Sequence, residues 1–230
     1  RFTHTTLKIP VFKDEEKKQG WFYWAAENGV DSRILAFLSF QPSLLFKYVE
    51  NDRTFPTPRG WEKASKLMEG EPNEEAWMAV AEACGYVAGL QFKQFMELGQ
   101  EIDPVEILKN PRKFLDLERS VMFSVIASLT HLYSQKSEKY AEKLLKFTAH
   151  LFTGIYDESK LNEYIRLAAG CEELSGEERE RIRKKMKELE GEREAEFAAL
   201  ILTSMKAANR DHLSKTIKSS KYTAAVADLM

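Results

Sequence analysis

Residues 55–61 read Phe55-Pro56-Thr57-Pro58-Arg59-Gly60-Trp61, and this stretch decides how the rest of the chain is taken. Thr57 is a natural N-cap, whose side-chain oxygen accepts a hydrogen bond from a first-turn amide. Pro58 then occupies the first helical position, where a missing N–H costs nothing. Arg59 follows at once, so its guanidinium leaves the helix at the end that already favours anions through free amides and the macrodipole. A cation there is mildly unfavourable for the helix alone. It makes sense when a strong anion, such as a phosphate, sits between the two. The alternative is a surface arginine paired with a nearby carboxylate. Trp61, Ala64, Leu67 and Met68 continue with a 3.6-residue period, which predicts a helix over residues 58–69 anchored by one apolar face.

Working upstream, Trp21-x-x-Trp24-Ala25-x-Glu27-Asn28-Gly29 predicts a helix capped by Asp14, with Trp21, Trp24 and Ala25 on one face and Gly29 just past its end. Asp31 caps the next helix, Ile34-Leu35-Ala36-Phe37-Leu38-Ser39-Phe40, which stops before Pro42. Residues 5–12 alternate Leu7, Ile9 and Val11, the strand signal of this chain. A lone strand needs a sheet that the remaining residues do not encode. With the start at Arg1-Phe2, this reads as a fragment.

Taken together, the F-P-T-P-R-x-W run and the two helices before it resemble the lid of AAA+ ATPases of the MoxR-like branch. The match is close over residues 1–69 and looser beyond. The resemblance implies a mainly α fold. Residues 1–13 would be the last strand of the ATPase core, 14–70 a four-helix lid subdomain, and 73–230 an all-α C-terminal extension. It implies that Arg59 is the second-sensor arginine, contacting the terminal phosphate of ATP, and that Arg1 is an arginine finger acting across a subunit boundary. The parent protein would bind ATP and magnesium mainly through its core and hydrolyse ATP in a ring, a hexamer by the resemblance. It would remodel or assemble a partner, such as a von Willebrand factor type A domain protein. Trp21, Trp24 and Phe55 read as lid core rather than as adenine contacts.

Composition sets outer limits. The 230 residues are 43% hydrophobic and 30% charged, which describes a folded chain. The net charge of −2 supplies no basic excess for nucleic acid. No apolar run approaches the roughly 18–20 residues of a membrane span. Cys84 and Cys171 are too few for a disulfide framework, and as buried thiols they point to the cytoplasm. There is no G-x-x-x-x-G-K-S/T phosphate loop and no strand ending in paired acids, so this stretch alone does not hydrolyse a nucleotide by that route.

Beyond residue 70, Glu71-Pro72-Asn73 reads as a domain boundary, with Asn73 capping the next helix. Ala76, Trp77, Val80, Ala81 and Cys84 form an apolar face ending at Gly85. Val87, Leu90, Phe92, Phe95 and Met96 form another, and the small residues of 83–89 predict close helix packing. Two long helices follow, about residues 116–133 and 137–156, the first apolar on most faces and central. Residues 172–196 carry both charge signs at i,i+4 spacing, as a solvated helix does. Phe197, Leu200, Ile201 and Met205 resume an amphipathic helix, and the polar tail from Lys215 is expected to fray.

None of His4, His131, His150 and His212 sits in a metal-binding pattern, so no metal site is expected. Two other readings compete with the ATPase: a non-catalytic helical adaptor that uses Arg59 for a salt bridge, and the lid of a DNA-handling AAA+ ATPase.

Overall fold

A computed structural model describes residues 10–14, 17–50, 52–69, 75–171, 174 and 176–229. Within them the chain forms thirteen α-helices and three short 3-10 turns, and no strand. Leu7, Ile9 and most of the expected strand lie outside the described residues. Val11 and Phe12, at its end, have no ladder partners of their own.

These two residues instead start the first helix, α1 (Trp21–Glu27). The Val11 and Phe12 carbonyls accept from the Trp21 and Phe22 amides at 2.9 and 2.8 Å. Backbone oxygens thus satisfy first-turn donors that a side-chain cap would otherwise take. The expected cap at Asp14 is not realised. Asp14 exchanges backbone hydrogen bonds with Gln19 in a tight turn, and the helix begins seven residues later. Gly20 makes this possible with φ 117°; a Cβ there would stand 2.8 Å from both carbonyl oxygens. Trp21 and Ala25 are buried as expected, but Trp24 is 41% exposed.

Asp31 caps α2 (Ser32–Phe40), accepting from the Arg33 amide at 2.8 Å. Every residue from Ser32 to Leu38 is buried, so α2 is a central helix rather than one half-covered in a separate subdomain. A 3-10 turn (Pro42–Leu45) and α3 (Pro58–Leu67) follow. Where four lid helices are expected, residues 20–69 hold three α-helices and one 3-10 turn. Leu67, placed on the buried face by its spacing, is exposed, whereas Trp61, Ala64 and Met68 are fully covered.

The second half begins with α4 (Ala76–Cys84) and α5 (Tyr86–Glu97), joined at Gly85. Here the small residues work as expected. A Cβ on Gly89 would lie 2.5 Å from the Ala81 Cβ, so the two helices approach as closely as glycine permits. Val87 faces solvent rather than the core. Helices α6 (Pro104–Lys109), α7 (Arg119–Gln135) and α8 (Ser137–Thr153) come next, then α9 (Glu158–Cys171), α10 (Gly176–Leu189) and α11 (Ala195–Ala208). The chain closes with α12 (Arg210–Ser219) and α13 (Thr223–Val226). The tail does not fray at Lys215. Tyr222, Ala225 and Val226 are buried, and α13 docks on α8 and α9.

The break at 71–73 and the Asn73 cap fall outside the described residues. Helices on its two sides nevertheless share one apolar core, with α2 packed on α7 and α11, and α3 packed on α4. A series of ring contacts shows the continuity. Trp61 meets Phe37, Phe37 meets Phe95, Phe95 meets Phe40, Phe40 meets Phe123, and Phe123 meets Phe197, with centroids 4.8–5.9 Å apart. Pairs in this range add about 0.5–1.5 kcal/mol each beyond buried area. The path ties α3 to α2, α5, α7 and α11.

Candidate functional site

The N-terminus of α3 has the construction that residues 55–61 predict. Thr57 is extended (φ −143°), and its hydroxyl oxygen accepts from the Gly60 amide at 2.9 Å. Pro58 holds the first helical position. Trp61 is fully buried, and its indole N–H donates to the Leu44 carbonyl at 2.8 Å.

Gly60, a position that the motif left open, is fixed by packing. A Cβ there would stand 2.9 Å from the Ala83 carbonyl oxygen and 3.2 Å from the Cys84 sulfur. Gly85 repeats the theme with φ 93°, since a Cβ would meet the Thr54 carbonyl oxygen at 2.5 Å. The α4–α5 corner therefore presses directly on the segment that leads into α3. Cys84 lies in this contact. Burial pushes its thiol up to about 12, against a smaller lowering by a backbone hydrogen bond at Thr57. It is a neutral packing group at physiological pH.

The other end of α3 is held by a group that sequence reasoning missed. Arg33 is 1% exposed, and its guanidinium grips Asp31 through Nε–Oδ1 (3.0 Å) and Nη2–Oδ2 (2.7 Å) while also donating to the Met68 carbonyl at 3.3 Å. The Asp31 amide donates to the Ser65 hydroxyl at 2.8 Å. A planar guanidinium suits this two-pronged carboxylate contact. The Asp-x-Arg spacing at the α2 cap was the available signal, but the cap role alone explained Asp31. With Trp61 held in the middle, α3 is attached at three points along its length.

Arg59 stands on the first turn of this fixed helix, exposed. Among the described residues it has no carboxylate partner. Glu62, one turn on, is engaged by Lys66 at 2.7 Å, and Lys63 reaches across to Glu82 on α4 at 3.1 Å. No acidic residue occupies the first turn of α3. Arg59 borders an open depression of about 610 Å3 shared with Pro10, Gly20, Trp21, Trp24, Pro58 and Glu62. Trp21 is almost wholly buried, and its indole N–H has no hydrogen-bond partner among the described residues. Phe55 lies elsewhere, edge-on to Phe46 and Tyr48. Arg1 is outside the described residues.

His131 on α7 and His150 on α8 are held within the helical packing, and His4 lies outside the described residues. Burial, then the charge of Arg33, lowers the His131 pKa; burial also lowers that of His150, whose Nδ1 lies 2.6 Å from the Ile155 carbonyl oxygen. Among the described residues no three His, Cys, Asp or Glu side chains converge as a metal site would require. No helix of the described residues is long and apolar enough to cross a membrane. No protein-family model, no curated protein and no solved structure matches this chain.

Proposed function

We propose that this chain is the lid and helical C-terminal region of a MoxR-like AAA+ ATPase, with Arg59 as its phosphate sensor. The observation that carries the reading is the state of Arg59: exposed on the first turn of a helix held at three points, and without a carboxylate partner among the described residues. Pro58 has no N–H and the Gly60 amide is taken by Thr57, so the Arg59 amide and guanidinium are the first-turn donors that fit the oxygens of a terminal phosphate. The chain's own share of the chemistry is this anion contact. ATP and magnesium would be held mainly by a catalytic core that this sequence does not contain. When bound, they supply the phosphoryl group and its neutralising cation.

A sensor of this kind must transmit what it touches. A rigid α3 serves that end, because a shift at Arg59 moves the helix as a body and is passed through Gly60 to the α4–α5 corner. In a ring of identical subunits, sixfold as in the family, this couples nucleotide state to the extension. The extension would then act on a partner protein, for which a von Willebrand factor type A domain is the family precedent. Arg1 would serve a neighbouring subunit's nucleotide.

The rival reading is a non-catalytic helical adaptor. It draws support from the single apolar core to which every α-helix except α10 contributes buried residues, with no sheet among the described residues. ATP hydrolysis by the complete gene product, wild type against Arg59→Ala, with oligomer mass followed in parallel, separates the two. The sensor reading expects an assembled variant with turnover reduced about 100-fold, as when one transition-state donor is lost. Unchanged turnover, or no ATPase in the wild type, gives the lead to the adaptor.

A further inference from the structure

A second cavity, of about 620 Å3, lies away from Arg59 between α1, α11, α12 and the final turn of the chain. It is half-enclosed, and its volume falls within the 300–1,000 Å3 range of small-ligand sites. Phe22, Leu202, Leu213, Ile217 and Leu229 give it an apolar lining, with the Thr203 and Ser214 hydroxyls among them. Four cations and three acids also line it, and their pairing is uneven.

Two of the acids are already neutralised. Glu27 lies 3.6 Å from Lys206, and Glu196 is paired with Arg119 outside the cavity. Asp228 is the acid left over. On the positive side, Lys18 and Arg210 have no carboxylate partner among the described residues, and Lys13 stands over the Phe22 ring at 5.2 Å. Lys18 also has φ 48°, the one positive value for a non-glycine residue among those described. A left-handed backbone at lysine is uncommon and directs attention to the turn that carries it.

We infer that this cavity is a binding site for a small amphiphilic monoanion, a carboxylate or sulfonate attached to an apolar body. The apolar walls accept the body, and Arg210 and Lys18, which have no carboxylate partner among the described residues, meet the head. A neutral amphiphile forgoes the charge contact, and a cationic one meets repulsion. The half-enclosed shape favours a ligand of this size over a long protein segment.

The test is isothermal titration of the 230-residue chain with dodecanoate below its micelle concentration, beside dodecanol and dodecyltrimethylammonium. The expected result is one dodecanoate per chain, with the alcohol and the cation bound at least about tenfold more weakly, the value of one charge-assisted contact. Arg210→Gln, at an exposed position, should weaken dodecanoate about tenfold without changing the circular dichroism spectrum. Ala199→Trp, which fills the cavity from α11, should abolish it. An unfolded Ala199→Trp variant leaves Arg210→Gln as the deciding one. No dodecanoate binding by the wild type overturns the assignment. So does equal binding of acid and alcohol, or full affinity in Arg210→Gln. Binding of an acidic amphipathic helix peptide at this site, with no binding of dodecanoate, would overturn it in favour of a protein partner.

Discussion

Helices α3 and α10 are both short, polar and rich in lysine and arginine, yet they occupy opposite extremes of this molecule. Helix α3 buries Trp61 completely and is gripped by Leu44, Arg33 and the Cys84–Gly85 corner. Helix α10 buries no residue; only Met186 and Leu189 lean on the core. The charges differ in the same way. In α10 six cations share an exposed helix with four acids. On the α3 N-terminus one arginine stands without a carboxylate partner among the described residues. The comparison teaches that the number of cations is a poor guide to an anion site. What matters is an unpaired charge on an element that cannot move away.

The sharpest way to break the contrast is Trp61→Ala. It removes a fully buried indole and its hydrogen bond to Leu44, so a loss of about 3–5 kcal/mol is expected in urea unfolding. A loss below 1 kcal/mol would mean that α3 is not anchored through this residue. Gly60→Ala comes next. Its methyl would press on the backbone oxygen of Ala83, and about 1–3 kcal/mol should be lost as α3 and α4 are forced apart. Hydrogen exchange should then rise in α3 and α4 together and leave α10 unchanged.

Acid should expose a further difference, because the α2–α7 region contains His131 whereas α10 has no histidine. Burial, then Arg33, holds the His131 pKa below its ordinary value of 6.5, and burial does the same for His150. Between the folded and unfolded pKa values the unfolded chain binds more protons. The stabilisation is therefore complete above about pH 6.5 and is lost as pH falls toward the folded values. Thermal melts should show Tm dropping from pH 7.5 to 5.5, with a shallower drop in His131→Gln. An identical slope in the variant would remove His131 from the account. The smallest effect belongs to Arg183→Gln on the exposed face of α10, where stability should stay within about 0.5 kcal/mol of the parent.

How much could be read beforehand follows the range of the interaction. The Thr57 cap, Pro58, the Asp31 cap and the Gly85 stop depend on a few neighbouring residues, and each occurs where its local chemistry puts it. The face of α11 was legible because one apolar period governs it; on α4 the period finds Ala76, Val80 and Cys84, whereas Trp77 and Ala81 are only partly buried and Ala79 and Ala83 are covered. The start of α1 was not. Asp14 is a competent cap, but the Val11 and Phe12 carbonyls reach the first-turn amides, and only the folded path of the chain brings them there. Trp24, Leu67 and Val87 are misjudged for a related reason. A periodic pattern marks a residue as apolar without saying whether a neighbouring helix arrives to cover it. The docked tail is the converse case, in which a few small residues from Lys215 onward find a ready surface on α8 and α9.

By itself, then, the sequence determined that this protein is helical, where several of its helices begin and end, and that Arg59 emerges at the N-terminal turn of one of them. Those are short-range matters of capping, proline geometry and hydrophobic period. The tertiary structure alone decided that α2 is central, that Arg33 and Trp61 hold α3 in place, that Arg59 has no carboxylate beside it among the described residues, and that α1, α11 and α12 enclose a cavity. Each depends on which residues distant in the chain come within a few ångströms of one another, and that is set by the packing of all the helices at once.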